Sequence, residues 1–168
     1  NKDCLMQSAS FILERLRSWS VESGFSSEEY NAVSQKNIWE CLDFAARLEA
    51  LHEFCALDAS KSLAAAHKRV NNILRKNNIT DNNTVNREQL KDENALILYD
   101  ALQNIGSTDL NYNSLLQSLA SLNGPVDNFF EKVMVMDDDQ EVRKNRLALL
   151  QMLHNRLSEV ADIRCLSI

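Results

Sequence analysis

The first third of the chain shows apolar residues at the spacing of one helix face. Residues 8–23 carry such a pattern, and Gly24 can end the helix as a C-terminal cap. The "SSEE" of residues 26–29 has the form of a capping box, which predicts that a short helix starts there. Asn37 is then a candidate N-cap for a second long helix over residues 38–54.

The rest of the chain predicts further helices separated by polar segments. The first is opened by Asp58 or Ser60 and is rich in alanine, which favours a stable helix. The polar residues 77–87 predict a loop after it. Gly106 and the pair Asn123–Gly124 are candidate helix ends. The predicted helices are residues 61–77, Glu88–Ile105, 112–122, 125–133 with Pro125 in the first turn, and Asp139–Val160.

Composition supports an all-α helical bundle. The chain has only three glycines and one proline, so few tight turns are available. We expect N-terminal helices, residues 1–57, that pack on a helical core of residues 58–168 within one compact unit. No apolar run approaches the roughly 20 residues that span a bilayer, and the start "NKDCLMQ" has neither a signal-peptide pattern nor an initiator Met. We therefore expect a cytoplasmic fragment of a longer chain, with no membrane association.

Motifs for catalysis or metal binding are missing from the sequence. The cysteines Cys4, Cys41, Cys55 and Cys165 have no CxxC spacing, which favours free thiols in a reducing compartment. The three histidines are far apart, and neither HExxH, GxSxG nor a glycine-rich phosphate loop occurs. The run "DDD" lacks the spaced ligands of a calcium loop and suits a helix N-terminus instead. We expect no catalytic residue, metal or cofactor in this fragment.

One segment reverses the charge balance of the chain. No acidic residue lies between Ala59 and Thr80, although the formal net charge of the whole chain is −6. At about 100° per residue, the five cations of this segment and one asparagine fall within about 120° of the helix circumference. That face consists of Lys61, Lys68, Arg69, Asn72, Arg75 and Lys76. The opposite side carries Leu63, Val70, Ile73 and Leu74.

Two interpretations of this basic face remain open. Lysine and arginine release the counterions condensed on a phosphate backbone, and Asn72 among them can bond a base edge or a sugar, so the face suits a polyanion. The alternative is a solvated helix face that is neutralised by acidic neighbours from elsewhere in the fold.

A second cationic cluster, "RKNR", lies in the last predicted helix. Arg143 and Lys144 are expected at the surface, and Lys144 and Asn145 point away from the leucine stripe of the helix. Arg146 falls within that stripe, so its guanidinium needs a carboxylate, a backbone carbonyl or a ligand. An Asp such as Asp127 is one candidate partner, and RNA is the other reading. Before this helix, Val133 and Met134 are expected to seal the chain against the core.

Aromatic side chains offer stacking surfaces for unpaired bases. The candidates are Trp19, Tyr30, Trp39, Phe129 and Phe130. Most aromatic residues at helical spacing belong to the core. Tyr30 and Phe130 are the better candidates for stacking because they are near predicted helix ends.

Five ordered blocks of the sequence resemble one known family. They are "LERLRSW", "AARLEALHEF", "LAAAHKRVNNILRK", "FFEKVMVMDDDQEVRKNRLALLQML" and "VADI". They are similar to the C-terminal region of the β subunit of bacterial-type glycyl-tRNA synthetases, or of fused α–β forms. The resemblance implies an all-helical anticodon-binding domain like the DALR-type domain of arginyl-tRNA synthetases. His67 stands where Asn is usual before Lys-Arg in that family.

The resemblance also implies a function and partners. A domain of this family would bind glycine tRNA, while the α subunit or an α-like region joins glycine to the tRNA with ATP and magnesium. The matching blocks offer the RNA contacts Lys68, Arg69, Asn72, Arg75, Lys76, Arg143, Lys144 and Arg146. The competing hypothesis is a helical protein-interaction domain whose basic face meets an acidic partner.

Overall fold

The structure is a computed structural model that describes residues 2–38, 40–79, 84–105 and 111–166. These residues form eight α-helices and two short 3₁₀ turns, at 87–89 and 163–165, with no β-strand among them. The all-α prediction is therefore confirmed. The helices are α1 (Lys2–Glu22), α2 (Ser27–Ser34), α3 (Cys41–Cys55), α4 (Ala59–Lys76), α5 (Glu93–Asn104), α6 (Tyr112–Ala120), α7 (Asn123–Lys132) and α8 (Gln140–Leu157).

The junction between α1 and α2 follows the sequence signals closely. Gly24 has φ +90°, and its N–H donates to the Val21 carbonyl while the next N–H, of Phe25, donates to Ser20. This is the bonding of a Schellman motif, which favours glycine because its φ is positive. The predicted capping box is also present, since Ser26 Oγ accepts from the Glu29 N–H at 3.1 Å and Glu29 Oε2 accepts from the Ser26 N–H at 2.6 Å.

The predicted start of α3 is wrong. Asn37 has φ +53°, a left-handed conformation that Asn tolerates better than most residues, and so it ends the turn after α2 rather than capping the next helix. The helix begins at Cys41, and its N-cap residue Glu40 makes no side-chain capping bond. Trp39, which the sequence placed inside this helix, lies outside the described residues.

Helix α4 begins after Asp58 and ends in a second left-handed residue. Asp58 is the N-cap residue, as one of the two predicted candidates. Its side chain makes no capping hydrogen bond, however. Asn78 has φ +52°, and the N–H of Ile79 donates back to the Leu74 carbonyl at 3.1 Å. Asparagine thus supplies the conformation that glycine supplies after α1. The chain leaves the helix in a defined direction.

The prediction that a helix starts at Glu88 is wrong. Residues 87–89 form only a 3₁₀ turn, and α5 begins at Glu93. The Asp92 carboxylate accepts from the N–H groups of Asn94 and Ala95, which gives this helix a real N-cap. Part of the predicted loop, residues 80–83, and the predicted stop at Gly106 lie outside the described residues.

The last helices differ from the predictions mainly at their ends. Asn123 and Gly124 do not terminate α6 but form the first turn of α7, because Ser121 and Leu122 turn the chain in right-handed helical conformation. Pro125 lies in that first turn, as predicted. Asp139 caps α8 by accepting from two backbone N–H groups, and the helix ends at Leu157 rather than Val160.

The core is continuous from α1 to the last 3₁₀ turn. Helix α4 lies at its centre, in contact with α8, α7, α3, α6 and that turn. Its buried side includes Leu63, Val70 and Leu74, the apolar face that the sequence assigned to the core. Helix α3 packs on α6 and α2, and α5 packs on α7 and α8. The division at residue 57 into two parts stays a prediction.

The side of α4 away from this core is left to solvent. No helix in the part of the chain that the structure describes is long and apolar enough to cross a membrane.

Candidate nucleic-acid interface

The exposed side of α4 is the surface that the sequence predicted to be basic. We define the basic face of α4 as Lys61, Lys68, Arg69, Asn72, Arg75 and Lys76, all of which are exposed. The helix that carries them is anchored by its opposite side, where Leu63 and Val70 have no accessible surface. A helix that is anchored by its buried side therefore presents the cations on one side of the domain.

The cations of this face have no acidic partner in the described ranges of the chain. Among the described residues, no carboxylate lies within 4 Å of a nitrogen of Lys61, Lys68, Arg69, Arg75 or Lys76, and the ion pairs of the chain lie elsewhere. The reading of a face neutralised by acidic neighbours thus finds no support in the described part of the chain. The positive charge is available to an external anion.

Two members of the face make contacts of another kind. Lys68 Nζ donates to the backbone carbonyl of Leu166 at 2.9 Å, which holds the segment after the last 3₁₀ turn against α4. The Arg69 guanidinium lies over the ring of Phe130 on α7, 4.2 Å from the ring centroid. Both contacts orient the side chains without neutralising them.

A shallow pocket of about 350 Å³ adjoins the basic face between α4 and α7. Arg69 and Phe130 form one side of it, and small residues of α4 form another. The Ser62 hydroxyl donates to the two carboxylate oxygens of Asp127, at 3.0 and 3.3 Å. Sequence reasoning missed this link between Ser62 and Asp127. The spacing of Asp127 and Phe130, three apart, places them on one side of α7 but gives no sign of the partner on α4.

The second cationic cluster is arranged differently, because Arg146 is bonded within the fold. Its Nη1 donates to the Met134 carbonyl and to Asp137 Oδ2, each at 2.7 Å, and its side chain is 14% exposed. The partner is therefore Asp137, and the suggested partner Asp127 is wrong because Asp127 lies against α4. Arg146 ties the start of α8 to the connection that precedes it.

Asp137 serves both this ion pair and the entry into α8. Its Oδ1 accepts from the Asp139 N–H at 3.0 Å. That backbone bond first, and then the Arg146 guanidinium, hold the pKa of the Asp137 carboxyl below its usual value. The aspartate run thus orders the start of the helix, with Asp137 bracing the turn and Asp139 capping the helix.

The other members of the "RKNR" cluster do not share one environment. Lys144 is exposed and Arg143 is partly buried, which agrees with a surface position for Lys144 in particular. Asn145 does not point away from the core as predicted. It is 6% exposed, its amide donates to the Asn86 carbonyl, and its oxygen accepts from the Asn86 N–H, both at 2.8 Å. These two hydrogen bonds satisfy the buried amide and hold the α4–α5 connection against α8.

The connection between α7 and α8 corrects one more prediction. Val133 is buried and seals the end of α7, as expected. Met134 is 71% exposed and does not pack on the core. The contribution of Met134 to the fold is made by its backbone carbonyl, which accepts a hydrogen bond from Arg146.

The aromatic candidates separate into buried and accessible rings. Tyr30 is 9% exposed and its hydroxyl donates to the Leu13 carbonyl, so it is part of the core. Phe129 is fully buried, whereas Phe130 is partly exposed beneath Arg69. Trp19 packs beside Phe25, with ring centroids 5.9 Å apart. Of the aromatic residues that the structure describes, Phe130 is the one that adjoins the basic face.

The fold brings together two histidines that are far apart in the sequence. His67 Nε2 and His154 Nδ1 lie 2.9 Å apart, with Ser158 Oγ 3.3 Å from the same His67 nitrogen. His67 has no accessible surface, and burial, followed by the charges of His154 and Arg164, lowers its pKa to about 3. Its Nδ1 has no hydrogen-bond partner among the described residues. The pair joins α4 to α8, and its fully buried member is His67, whereas His154 is partly exposed.

The described residues form neither a metal-binding group nor a disulfide. Their His, Cys, Asp and Glu side chains form no group of three or more that could hold a metal ion. Cys41, Cys55 and Cys165 are free thiols, and burial first, then the charge of Glu29, raises the pKa of Cys55 to about 12.

A larger groove of about 550 Å³ lies between α5 and α8. Tyr99, Gln103 and Gln151 contribute to its walls. The cation that lines it, Arg156, is bonded to Glu159 of the same wall at 3.1 Å. The groove therefore lacks the unpaired positive charge that distinguishes the basic face of α4.

Together these features define a helical domain with an anchored helix face whose exposed cations have no carboxylate partner in the described part of the chain, a surface typical of RNA-binding modules. The chain belongs to the DALR anticodon binding domain family, whose family model matches residues 63–163. The matched region begins within α4 and ends at the first residue of the last 3₁₀ turn. It contains the basic face except Lys61, and the lining of the adjoining pocket except Ser62.

The similar curated proteins are more specific. The chain is 40% identical over 172 residues to the glycine–tRNA ligase β subunit of Pseudoalteromonas atlantica, covering 99% of this chain and 25% of that protein. It is 41% identical to the β subunit of Chromohalobacter salexigens, with 91% and 23% covered, and 42% identical to that of Pectobacterium carotovorum, with 93% and 24% covered. The chain thus spans about a quarter of these relatives, and the match is to their C-terminal part.

Proposed function

We propose that this domain binds the anticodon loop of glycine tRNA, and that the basic face of α4 is its principal contact with the RNA. The observation that carries the proposal is the set of exposed cations on α4 without a carboxylate partner among the described residues. Membership of an anticodon-binding family supports the choice of tRNA as the polyanion. The names of the relatives support the choice of glycine tRNA.

The chemistry of the face suits a folded RNA loop. Lys61, Arg75 and Lys76 would neutralise phosphates and release their counterions, which supplies affinity without sequence preference. Asn72 lies between them on the same face, where its amide can both donate to and accept from a base edge or a ribose hydroxyl. Arg69 and Phe130 add a stacking surface beside the phosphate contacts.

The second cluster has a smaller part in the proposal. Lys144 is exposed and Arg143 is partly exposed, so both can reach RNA from the start of α8. Arg146 is already held by Asp137 and the Met134 carbonyl. We assign it to the fold, because releasing it to bind RNA would leave that carbonyl without its donor and Asp137 without its counterion.

In the whole enzyme the domain would position tRNA for chemistry performed elsewhere. We propose that the parent protein is a cytoplasmic glycine–tRNA ligase, working with an α subunit or an α-like region. ATP and magnesium would be used in that catalytic part. The described residues form no group of side chains that could hold a metal ion, and we assign no step of the reaction to them.

The competing function is a helical domain that docks an acidic protein. It would call for a large apolar patch beside Lys68 and Arg75. Helix α4 is described over its whole length and exposes no large hydrophobic side chain. The exposed apolar residues of the described chain lie elsewhere, as with Phe11 on α1 and Met136 before α8. The surface composition therefore favours RNA.

A binding comparison tests the proposal. The double variant Arg75→Ala/Lys76→Ala is measured against glycine tRNA by filter binding at 50 to 200 mM salt. Two lost phosphate contacts should weaken binding by about 10- to 100-fold, and more at low salt than at high salt. The matched control is Arg87→Ala/Lys91→Ala, which removes the same charge from exposed positions outside the basic face.

The control separates local contact from overall charge. We expect Arg87→Ala/Lys91→Ala to bind within about threefold of the wild type, because net charge acts only weakly at a distance in salt. Equal losses in both double variants, or wild-type binding that does not depend on salt, would contradict the proposed role of α4. Equal binding to tRNAs with altered anticodons would contradict anticodon recognition.

A further inference from the structure

We propose that one side of α1 is a docking surface for the part of the parent chain that precedes this domain. The surface consists of Phe11, Ile12, Arg15 and Trp19, which we call the outer stripe of α1. All four side chains are exposed. The proposal concerns the assembly of the parent protein and does not depend on tRNA binding.

Exposed apolar side chains are concentrated on α1. Of the nine large hydrophobic side chains that are exposed in the described part of the chain, four lie on this helix. Phe11 is 57% exposed, and Ile12 and Trp19 are also among the four. Single exposed apolar residues are ordinary on protein surfaces, whereas a contiguous group of them marks an interaction site.

The apolar members of the outer stripe lie side by side. At about 100° per residue, Phe11, Ile12 and Trp19 fall within about 100° of the helix circumference. Leu16 and Ser20, which are buried, lie on the adjoining side of the helix. The outer stripe therefore extends the apolar side of α1 beyond the surface that the domain itself covers.

Contacts with the domain fix the direction in which the outer stripe faces. The Tyr30 hydroxyl donates to the Leu13 carbonyl at 3.1 Å, which ties α1 to α2. The ring of Trp19 lies beside that of Phe25, with the centroids 5.9 Å apart. Because α1 is held at both places, the outer stripe is presented at a defined position on the domain and not by a freely moving segment.

Arg15 adds a polar requirement to this surface. Its guanidinium lies over the Phe11 ring, 5.2 Å from the ring centroid. Among the described residues no carboxylate lies within 4 Å of its nitrogens. A guanidinium that becomes covered needs an acceptor. The docking segment should therefore present a carboxylate or a backbone carbonyl opposite Arg15, within an otherwise apolar patch.

The length of the relatives indicates what covers the outer stripe. The chain accounts for 25% of the Pseudoalteromonas atlantica protein and matches the C-terminal part of its relatives. In a parent of that length, about three quarters of the polypeptide would come before α1. The preceding chain is covalently attached to this helix, so its effective concentration at the outer stripe is high.

The size of the surface also favours a tethered partner. Three large side chains that are only partly exposed offer on the order of 300 Å² of apolar surface. A stable complex between separate proteins buries roughly 800 Å² on each partner. A contact between neighbouring domains of one chain can be smaller, because the linkage removes most of the entropic cost of association. The outer stripe therefore suits the preceding domain better than a second copy.

Photo-crosslinking in the full-length holoenzyme, without tRNA, tests the proposal. Benzoylphenylalanine replaces Ile12 in one variant and, as the matched control, Arg17 in another. Arg17 is exposed on the same helix but lies about 140° around it from Ile12. After irradiation, denaturing gels separate single chains from crosslinked pairs, and mass spectrometry identifies the joined peptides.

The expected product is a crosslink within one chain. Position 12 should join to a peptide from the part of the chain before α1, with a yield about tenfold higher than from position 17, which faces away from the docking segment. A main product joining two copies of the chain, a product joining the α subunit, or no crosslink above that of position 17 would each overturn the proposal.

Limited proteolysis of the full-length chain provides a second readout. Ile12→Asp places a charge in the proposed contact, so trypsin should release the domain about tenfold faster than from the wild type. Met134→Asp is the matched control, since it adds the same charge at another exposed apolar position and should leave the rate within about twofold. Equal rates for Ile12→Asp and the wild type would contradict docking at α1 and leave the proposed tRNA binding unaffected.

Discussion

The cations of α4 and those of α8 look alike in sequence and differ in what they contact. Arg75 and Lys76 end α4 with no carboxylate within 4 Å in the described part of the chain. Arg146 near the start of α8 is held by a carboxylate and a carbonyl at 2.7 Å each. Arg156 near its end is bonded to Glu159. A basic cluster indicates a ligand only where the fold leaves its charge unpaired.

The difference has its origin in where acidic residues occur. Helix α4 has no acidic residue of its own, whereas α8 is preceded by the aspartate run and followed by Glu159. An arginine within reach of a fixed carboxylate gains charge-assisted hydrogen bonds that position the backbone. On α4 the arginines find no such carboxylate among the described residues, and their side chains remain exposed. Arg146 and Arg156 of α8 thus stabilise the fold, whereas the cations of α4 remain accessible to a ligand.

The largest expected effect comes from removing Arg146. We expect Arg146→Ala to lower the free energy of unfolding by about 2 to 3 kcal/mol, because two short bonds to a mostly buried guanidinium are lost and the Met134 carbonyl is left without its donor. In a chain of this size that corresponds to a fall in Tm of roughly 4–12 °C. Thermal unfolding by circular dichroism measures it.

The exposed neighbour Lys144 is the control for that variant. Lys144→Ala should change the unfolding free energy by less than about 0.5 kcal/mol, as exposed substitutions usually do. A stable Arg146→Ala with weakened tRNA binding would reverse the assignment and make Arg146 an RNA contact. A lowered free energy of unfolding in Arg146→Ala, with unchanged tRNA affinity of the folded protein, would confirm that Arg146 stabilises the fold.

The buried contact between the two helices predicts a pH effect. His67 has a pKa of about 3 in the fold and about 6.5 when unfolded, so the unfolded chain binds the extra proton. His67 titration does not change the free energy of unfolding above pH 6.5. As pH falls from 6.5 towards 3, it lowers the free energy of unfolding. At pH 5 the cost is about 2 kcal/mol. Between pH 7 and pH 5 the free energy of unfolding should therefore fall by about 2 kcal/mol less in His67→Asn than in the wild type.

Urea unfolding at the two pH values measures this difference. His154, whose pKa is also lowered by burial, remains in the variant and accounts for part of the residual acid sensitivity. His154→Asn offers a second arm, with a smaller expected gain because the side chain is only half-buried. Identical acid sensitivity in the wild type and His67→Asn would show that the pair is not the cause.

The smallest expected effect belongs to the exposed end of the "RKNR" cluster. Arg143→Ala/Lys144→Ala should weaken binding of glycine tRNA by about two- to fivefold, less than the loss in Arg75→Ala/Lys76→Ala, since these cations lie apart from the basic face. Filter binding at one salt concentration suffices. A larger loss here than on α4 would invert the comparison between the helices.

The sequence predicts most helices because local signals decide them. The capping box at Ser26, Gly24 after α1 and Asp139 before α8 are chemical requirements of the backbone and are readable directly. The amphipathic pattern of α4 likewise predicts both its buried leucines and its exposed cations. The family resemblance rests on the same segments.

The missed features depend on contacts between distant parts of the chain. Asn145 is buried because Asn86 comes to it, and Asp127 meets Ser62 rather than Arg146 because α7 lies against α4. No periodicity encodes such pairings. The late start of α5, in contrast, has a local cause, because the Asp92 side chain caps the helix at that point.

The most direct test of the central claim is the salt dependence of tRNA binding by the wild type and by Lys61→Ala/Arg75→Ala/Lys76→Ala. The dissociation constant for glycine tRNA is measured from 50 to 300 mM salt, and its logarithm is plotted against that of the salt concentration. If these cations neutralise phosphates, the magnitude of the slope should fall by about two to three in the variant. An unchanged slope in a folded variant would contradict the account.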